Sequence, residues 1–278
     1  MKNPYTLLLV LLLAVLTACG PEVNDKGEYV IQQAGSGKEL HIKFFDNGNI
    51  EYIQETRDGK PEGFFMNFFK TGQPENTAYI IDGKKQGSGY LFYPDGSLKS
   101  YGPYRDDVQS GFFWLFDKNG NLKEKREYVT VSDKTIMNQW IQLDGTMRPV
   151  FAESNFITAE ADKDTIHMGE TYNLNVTLEA SFNKEYMALI VGPFNEVYQL
   201  PAGATCDTLI GKNFTVRYTG FKYKKGKNTL RAVVKDLSYD KNADQSKMRS
   251  IWFTKEFYVT EEVPCFYLSQ IINRIKHR

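Results

Sequence analysis

A period of 24 residues runs through the first half of this chain and limits its fold more than any other feature. Gly48, Gly72, Gly96 and Gly120 stand 24 apart, and Gly63, Gly87 and Gly111 keep the same step. So do Asp58, Asp82 and Asp106, and Phe44, Phe68, Phe92 and Phe116. Series that stay in phase without a gap mark a structural repeat. Each unit carries two turn signals. One is D-N-G-N, K-T-G-Q, P-D-G-S or K-N-G-N; the other is D-G-K-P-E-G, D-G-K-K-Q-G or D-D-V-Q-S-G. Glycine tolerates positive φ, and Asp or Asn bonds its own nearby backbone, so both signals read as turns.

Between the turns, apolar residues alternate. Leu40, Ile42 and Phe44 fall on one face of a strand. So do Phe64, Met66 and Phe68, then Tyr90 and Phe92, then Phe112, Trp114 and Phe116. Alternation of this kind places a set on one side of a sheet. A lone hairpin is marginal in water, whereas stacked hairpins bury a continuous stripe. The expected fold class is therefore all-β, beginning with an elongated antiparallel meander of about four 24-residue hairpins. Glu28–Ile31 reads as a partial first strand, and Trp140–Gly145 as a worn fifth unit one residue out of phase.

The block resembles the bacterial variant of the MORN-type repeat over roughly residues 38–129. The segments that carry the resemblance are Phe92-Tyr93-Pro94-Asp95-Gly96-Ser97-Leu98 and Asp82-Gly83-Lys84-Lys85-Gln86-Gly87. It implies a meander of hairpins and no catalytic residues. The eukaryotic Y-x-G-x-W core is missing from this sequence, so the lipid binding of that form does not carry over.

The pattern changes after Pro149. Short alternating strands are expected at 157–161, 171–180, 186–192, 196–200, 213–218, 228–236 and 250–260. Strands this short and this regularly spaced argue for an immunoglobulin-like sandwich, with Val176, Leu178, Leu230, Ala232 and Val234 pointing inward. The G-E-T-Y-N-L-N-V-T-L-E-A and K-G-K-N-T-L-R-A-V-V segments loosely resemble sandwich repeats of Bacteroidetes envelope machinery. Asp164-Thr165-Ile166 and Asp207-Thr208-Leu209 are similar to the O-glycosylation triplets of that phylum.

Lys2 precedes an apolar run, Leu7–Leu16, too short for a permanent span, which needs about 20 residues, and suited to a secretory signal. The run ends in Leu16-Thr17-Ala18-Cys19-Gly20, which resembles the bacterial lipobox and implies cleavage before Cys19 and lipidation of that residue. Acyl chains at roughly 0.8 kcal/mol per buried CH₂ anchor a protein stably. Gly20 is not an inner-membrane retention signal by the enterobacterial rule, which favours the outer membrane of a Gram-negative envelope. The expected organisation is a signal at 1–18, a lipid-anchored linker at 19–37, the repeat block at 38–150, the sandwich at 153–262 and a tail at 263–278. The tail, with Phe266, Leu268, Ile271, Ile272 and Ile275, reads as docked or frayed, or as a short amphipathic helix.

Composition excludes some functions. With 34 basic and 34 acidic residues the chain has no electrostatic footprint for nucleic acid. Cys206 and Cys265, the cysteines left after Cys19, are candidates for one disulfide in an oxidising compartment. His41, His167 and His277 lie far apart without a local metal pattern, and His41, opposite its strand's apolar face, reads as solvated. Asp117–Asn121 reads as a turn, because no bidentate Glu follows at the place a calcium loop requires. Gly35-Ser36-Gly37-Lys38 lacks the first glycine of a phosphate loop and reads as linker. No catalytic residue, metal or cofactor is expected. The candidate surface for a partner or a glycan is Phe65, Phe69, Tyr93, Phe113, Tyr90 and Trp114, although the period that aligns aromatics also suits a packed spine. These features lead to a non-catalytic envelope lipoprotein that binds the membrane through Cys19 and another envelope protein through its repeats. A glycan- or peptidoglycan-binding lipoprotein is the alternative.

Overall fold

The computed structural model describes residues 22–33, 35–180, 186–211, 213–221, 223–240 and 245–261. The signal segment, Cys19, Cys265 and the tail after Glu261 lie outside them. The fold is all-β, with no α-helix among the described residues. Its first strands are β1 (Glu22–Val23), β2 (Tyr29–Gln33), β3 (Lys38–Phe44), β4 (Ile50–Arg57), β5 (Lys60–Phe68) and β6 (Pro74–Ile81). Next come β7 (Lys84–Phe92), β8 (Leu98–Arg105), β9 (Val108–Gln109), β10 (Gly111–Phe116), β11 (Leu122–Val131) and β12 (Lys134–Gln142). They form one twelve-stranded sheet in chain order, with β9 paired only to β8. Contacts group the chain into two compact units, residues 1–129 with 142–149, and residues 130–141 with 150–278. Most of β12 thus belongs to the second unit.

In the first unit the period sets the register. Ile42 pairs with Ile53, Ile53 with Met66, Met66 with Thr77, Thr77 with Tyr90, Tyr90 with Tyr101, and Tyr101 with Trp114. Residues directly opposite in a sheet share a face, so Ile42, Met66, Tyr90 and Trp114, each 24 on from the last, fall in one row. At the early end of the row Ile42, Ile53 and Met66 are buried. At the late end Tyr90, Tyr101 and Trp114 stack, with ring centroids 5.8 and 4.8 Å apart.

The two turn signals form two different turns. Asp58-Gly59, Asp82-Gly83 and Asp106-Asp107 all have positive φ, the type I′ geometry that matches strand twist. The other turns close with two backbone bonds, as in Phe45 N–H to Asn49 O at 2.8 Å and Gly48 N–H to Phe45 O at 2.9 Å. The same pair of bonds recurs at Phe69–Gln73, Tyr93–Ser97 and Asp117–Asn121, with the period's first glycine at the positive-φ place. The second glycine series is not part of a turn. Gly63 and Gly87 sit at register shifts on β5 and β7, where a β-bulge needs positive φ.

Both margins of the repeat differ from expectation. The partial strand expected at Glu28–Ile31 is present as β2, but the sheet starts earlier, with β1 at Glu22, so residues 22–33 of the expected linker are sheet, closed by the same kind of turn at Asn24–Glu28. Gly35–Gly37 is a turn between β2 and β3. At the far margin the turn is Asp144–Arg148, and its positive-φ place is held by Met147, not Gly145.

The second unit contains β13 (Ile157–Ala161), β14 (Thr165–His167), β15 (Tyr172–Leu178) and β16 (Tyr186–Gly192). It continues with β17 (Asp207–Gly211), β18 (Thr215–Gly220), β19 (Gly226–Asp240) and β20 (Gln245–Thr260). They make a three-stranded sheet, β13-β15-β18, and a five-stranded sheet, β14-β20-β19-β16-β17. Passing from β15 to β16, from β17 to β18 and from β18 to β19, the chain changes sheets, which is the immunoglobulin-like arrangement. Val176, Leu178, Leu230, Ala232 and Val234 all lie in the core. Tyr172 stacks on Phe257 at 3.8 Å, and Tyr223 meets Phe257 edge-on at 4.7 Å. Residues 196–200, expected as a strand, form a turn capped by the Asn195 side chain. The edge strand in that region is β17 instead.

Residues 130–141 are fastened to the second unit by side-chain amides. Asn138 donates from Nδ2 to Trp252 O at 2.7 Å and accepts Trp252 N–H at Oδ1 at 2.9 Å. Gln139 Oε1 accepts Ile157 N–H at 3.1 Å. The guanidinium of Arg249 lies 4.1 Å over the Trp140 ring.

Candidate functional site

Of the six aromatics expected at a surface, the structure keeps five within reach. Tyr90 is exposed, whereas Trp114, Phe65, Phe69 and Tyr93 are half-buried. Tyr93 donates its hydroxyl to Phe116 O at 2.9 Å and lies under the Lys99 ammonium at 5.8 Å. Phe113 is the exception. It is only 5 % exposed, gripped edge-on by Tyr104 and Tyr128 at 5.4 Å each, and so offers no surface to a partner. Alternation alone could not reveal this, because what hides Phe113 are long rings two residues along neighbouring strands.

The face that bears Ile42 and Trp114 holds the larger apolar opening. Tyr79 is 48 %, Ile81 46 % and Tyr90 37 % exposed, beside the stack of Tyr101, Trp114 and Phe116. Tyr79 and Ile81 share this face because they follow Thr77 at steps of two.

A polar cluster near the N-terminal margin corrects the reading of His41. Its ring does lie opposite the apolar face, but it is not solvated. Nδ1 is 3.0 Å from Glu28 Oε2 and Nε2 is 3.0 Å from Glu39 Oε2. Glu28, 7 % exposed, also accepts from Asn24 Nδ2 at 2.6 Å and from the Tyr52 hydroxyl. Thr56 Oγ1 is 3.2 Å from His41 Nε2. Thr56, His41 and Glu28 thus have the order of a hydrolytic triad, but Thr56 is buried and Glu39 already faces the nitrogen that a base would use. The cluster holds the first hairpins together.

Burial alone would raise the Glu28 carboxyl, but the hydrogen bonds from Tyr52, Asn24 and His41 outweigh it and bring the pKa down to about 2. The bonds to His41 and Gln32 also lower Glu39. A carboxyl held below its unfolded value stabilises the fold above that value and loses the contribution as pH falls through the folded one. Between pH 4.5 and about 2 the wild type should therefore lose stability that Glu28→Gln does not have to lose. The gap between the two proteins, on the order of 1–3 kcal/mol at neutral pH, should close across that window in urea melts. A gap that stays constant with pH would show that the carboxylate charge is not the stabilising element.

Cys206 is a free, half-buried thiol beside Gly192, and Cys265 lies outside the described residues. His167 ends β14 and meets Thr260 Oγ1 at 2.9 Å. The Asp117 carboxylate accepts from the Asn119 and Asn121 backbone at 2.9 Å, as a turn requires. No cluster of His, Cys, Asp and Glu fit to hold a metal occurs among the described residues. No family model matches the chain, and no curated protein is detectably similar to it in sequence.

Proposed function

We propose that the chain is a non-catalytic lipoprotein of a bacterial cell envelope, anchored through Cys19, whose repeat block serves as an interaction surface for another envelope protein. One observation carries the interaction surface: Tyr79, Ile81 and Tyr90 lie open on one face of the meander, next to a stack of rings. Contiguous apolar surface in water is an association site by default. The anchor rests on the lipobox resemblance of Leu16–Gly20.

The test places a photo-cross-linking amino acid at Tyr79 of the full chain in its own cells. A discrete adduct with one envelope protein, lost in a Tyr90→Glu background, is the expected result. Fatty-acid labelling should mark the wild type and leave Cys19→Ala unmarked. Failure to cross-link at Tyr79, Ile81 and Tyr90 alike would remove the interaction reading. Labelling of Cys19→Ala would remove the anchor.

A further inference from the structure

On the opposite face of the meander the repeat leaves out one of its own side chains. Positions 41, 65, 89 and 113 are equivalent by the period, and they hold His41, Phe65, Gly89 and Phe113. Gly89 pairs with Gly102, so two adjacent strands bring no side chain to this place. The Tyr104 ring leans over Gly89, 2.7 Å from where a Cβ would stand, and Phe113 covers Gly102. Between Phe65 and Tyr104 a cleft of about 200 Å³ remains, with Ala78 and Gly89 among its lining residues and Asn67, Asn76, Lys85 and Leu91 around it.

The polar groups of this cleft are not used up by the fold. Asn67 Nδ2 approaches Asn76 Oδ1 at 3.5 Å, which leaves Asn67 Oδ1 as an acceptor and Asn76 Nδ2 as a donor, side by side, with no partner among the described residues. The Lys85 ammonium lies 5.6 Å over the Tyr104 ring, and none of the described residues that line the cleft is acidic. We infer that this cleft binds a single pyranose ring of a glycan, with its C–H face against Phe65 or Tyr104. Neighbouring hydroxyls both donate and accept, so they match the amide pair, and Lys85 donates to a third oxygen or to a uronic carboxylate. An aromatic side chain of a protein would fill the same volume but leave the amides and the ammonium unmet, at the cost of their desolvation. The inference does not depend on the protein-interaction reading, since the side chains it uses, Phe65, Asn67, Asn76, Lys85 and Tyr104, lie on the other face of the sheet, although Thr77 and Tyr90 also border the cleft.

The experiment is saturation-transfer NMR on the full chain in detergent, with glucose, galactose, mannose, N-acetylglucosamine and glucuronate as probes. At least one should receive saturation on its ring C–H protons, with Kd in the range of about 0.1–10 mM. Asn76→Leu should weaken that binding about tenfold or more, equivalent to about 1.4 kcal/mol. Gly89→Phe, which restores the repeat's aromatic, should abolish it. Thermal melts check that each variant is folded; if Gly89→Phe is not, Lys85→Ala replaces it, with the same tenfold expectation. The proposal is overturned if no probe binds, if Asn76→Leu binds as the wild type does, or if a cross-linker at Leu91 captures a protein whose presence leaves saccharide binding unchanged.

Discussion

Asn138→Ala should unfold the second unit at a much lower urea concentration than the wild type, with a loss of about 3 kcal/mol. The side chain is 1 % exposed, and its amide serves Trp252 as a neighbouring strand would, giving one bond and taking one. Trp252 needs this because of its place on β20. That strand pairs with β19 throughout, but β14 reaches only Tyr258, Val259 and Thr260. The rest of that edge would present unpaired backbone groups, and Asn138 covers two of them, the Trp252 N–H and carbonyl. Alanine leaves a carbonyl and an N–H buried without partners, at about 1–3 kcal/mol each. Asn138→Asp should be as harmful, since a carboxylate can accept from Trp252 N–H but repels its carbonyl. An open strand edge also invites pairing between molecules, so Asn138→Ala should sediment as aggregates where the wild type does not. A midpoint change worth less than about 1 kcal/mol would mean that the clamp seals nothing.

How much of this was legible in the sequence depends on whether the signal was periodic. The 24-residue step placed Ile42, Met66, Tyr90 and Trp114 in one row, and alternation placed Leu230, Ala232 and Val234 in the core, because both follow from side-chain geometry along a strand. What escaped are relations between distant residues. Asn138 sits in what reads as ordinary repeat margin, and nothing local to it shows that its partner is Trp252, 114 residues on. His41 was placed on the correct face but without the three side chains that surround it, one of which, Glu28, comes from the expected linker. Residues 196–200 alternate like a strand, yet Asn195 accepts from Val197 and Gln199 N–H and closes a turn first. Met147 holds a positive-φ place that only glycine or asparagine would have announced.

Gly102→Ala should cost the first unit about 2–3 kcal/mol, although alanine is chemically the smallest change available there. A Cβ at this position would stand 2.4–2.6 Å from three carbons of the Phe113 ring, well inside contact distance. The ring has nowhere to go, because Tyr104 and Tyr128 hold it edge-on from both sides. The strain is therefore one of packing, and it differs in kind from that at the turn glycines. Gly120 has φ of +82° with nothing within 4 Å of its missing Cβ, so Gly120→Ala meets only the backbone penalty of about 1–2 kcal/mol. The two mechanisms separate in a second background. With Phe113→Ala already present, Gly102→Ala should become nearly neutral, because the atom it would strike is gone, while Gly120→Ala should cost what it costs in the wild type. Thermal melts of the four combinations read this directly. If Gly102→Ala and Phe113→Ala were additive, the ring over Gly102 would not be what demands a glycine there, and the explanation of why this face of the repeat needs two neighbouring glycines would fail with it.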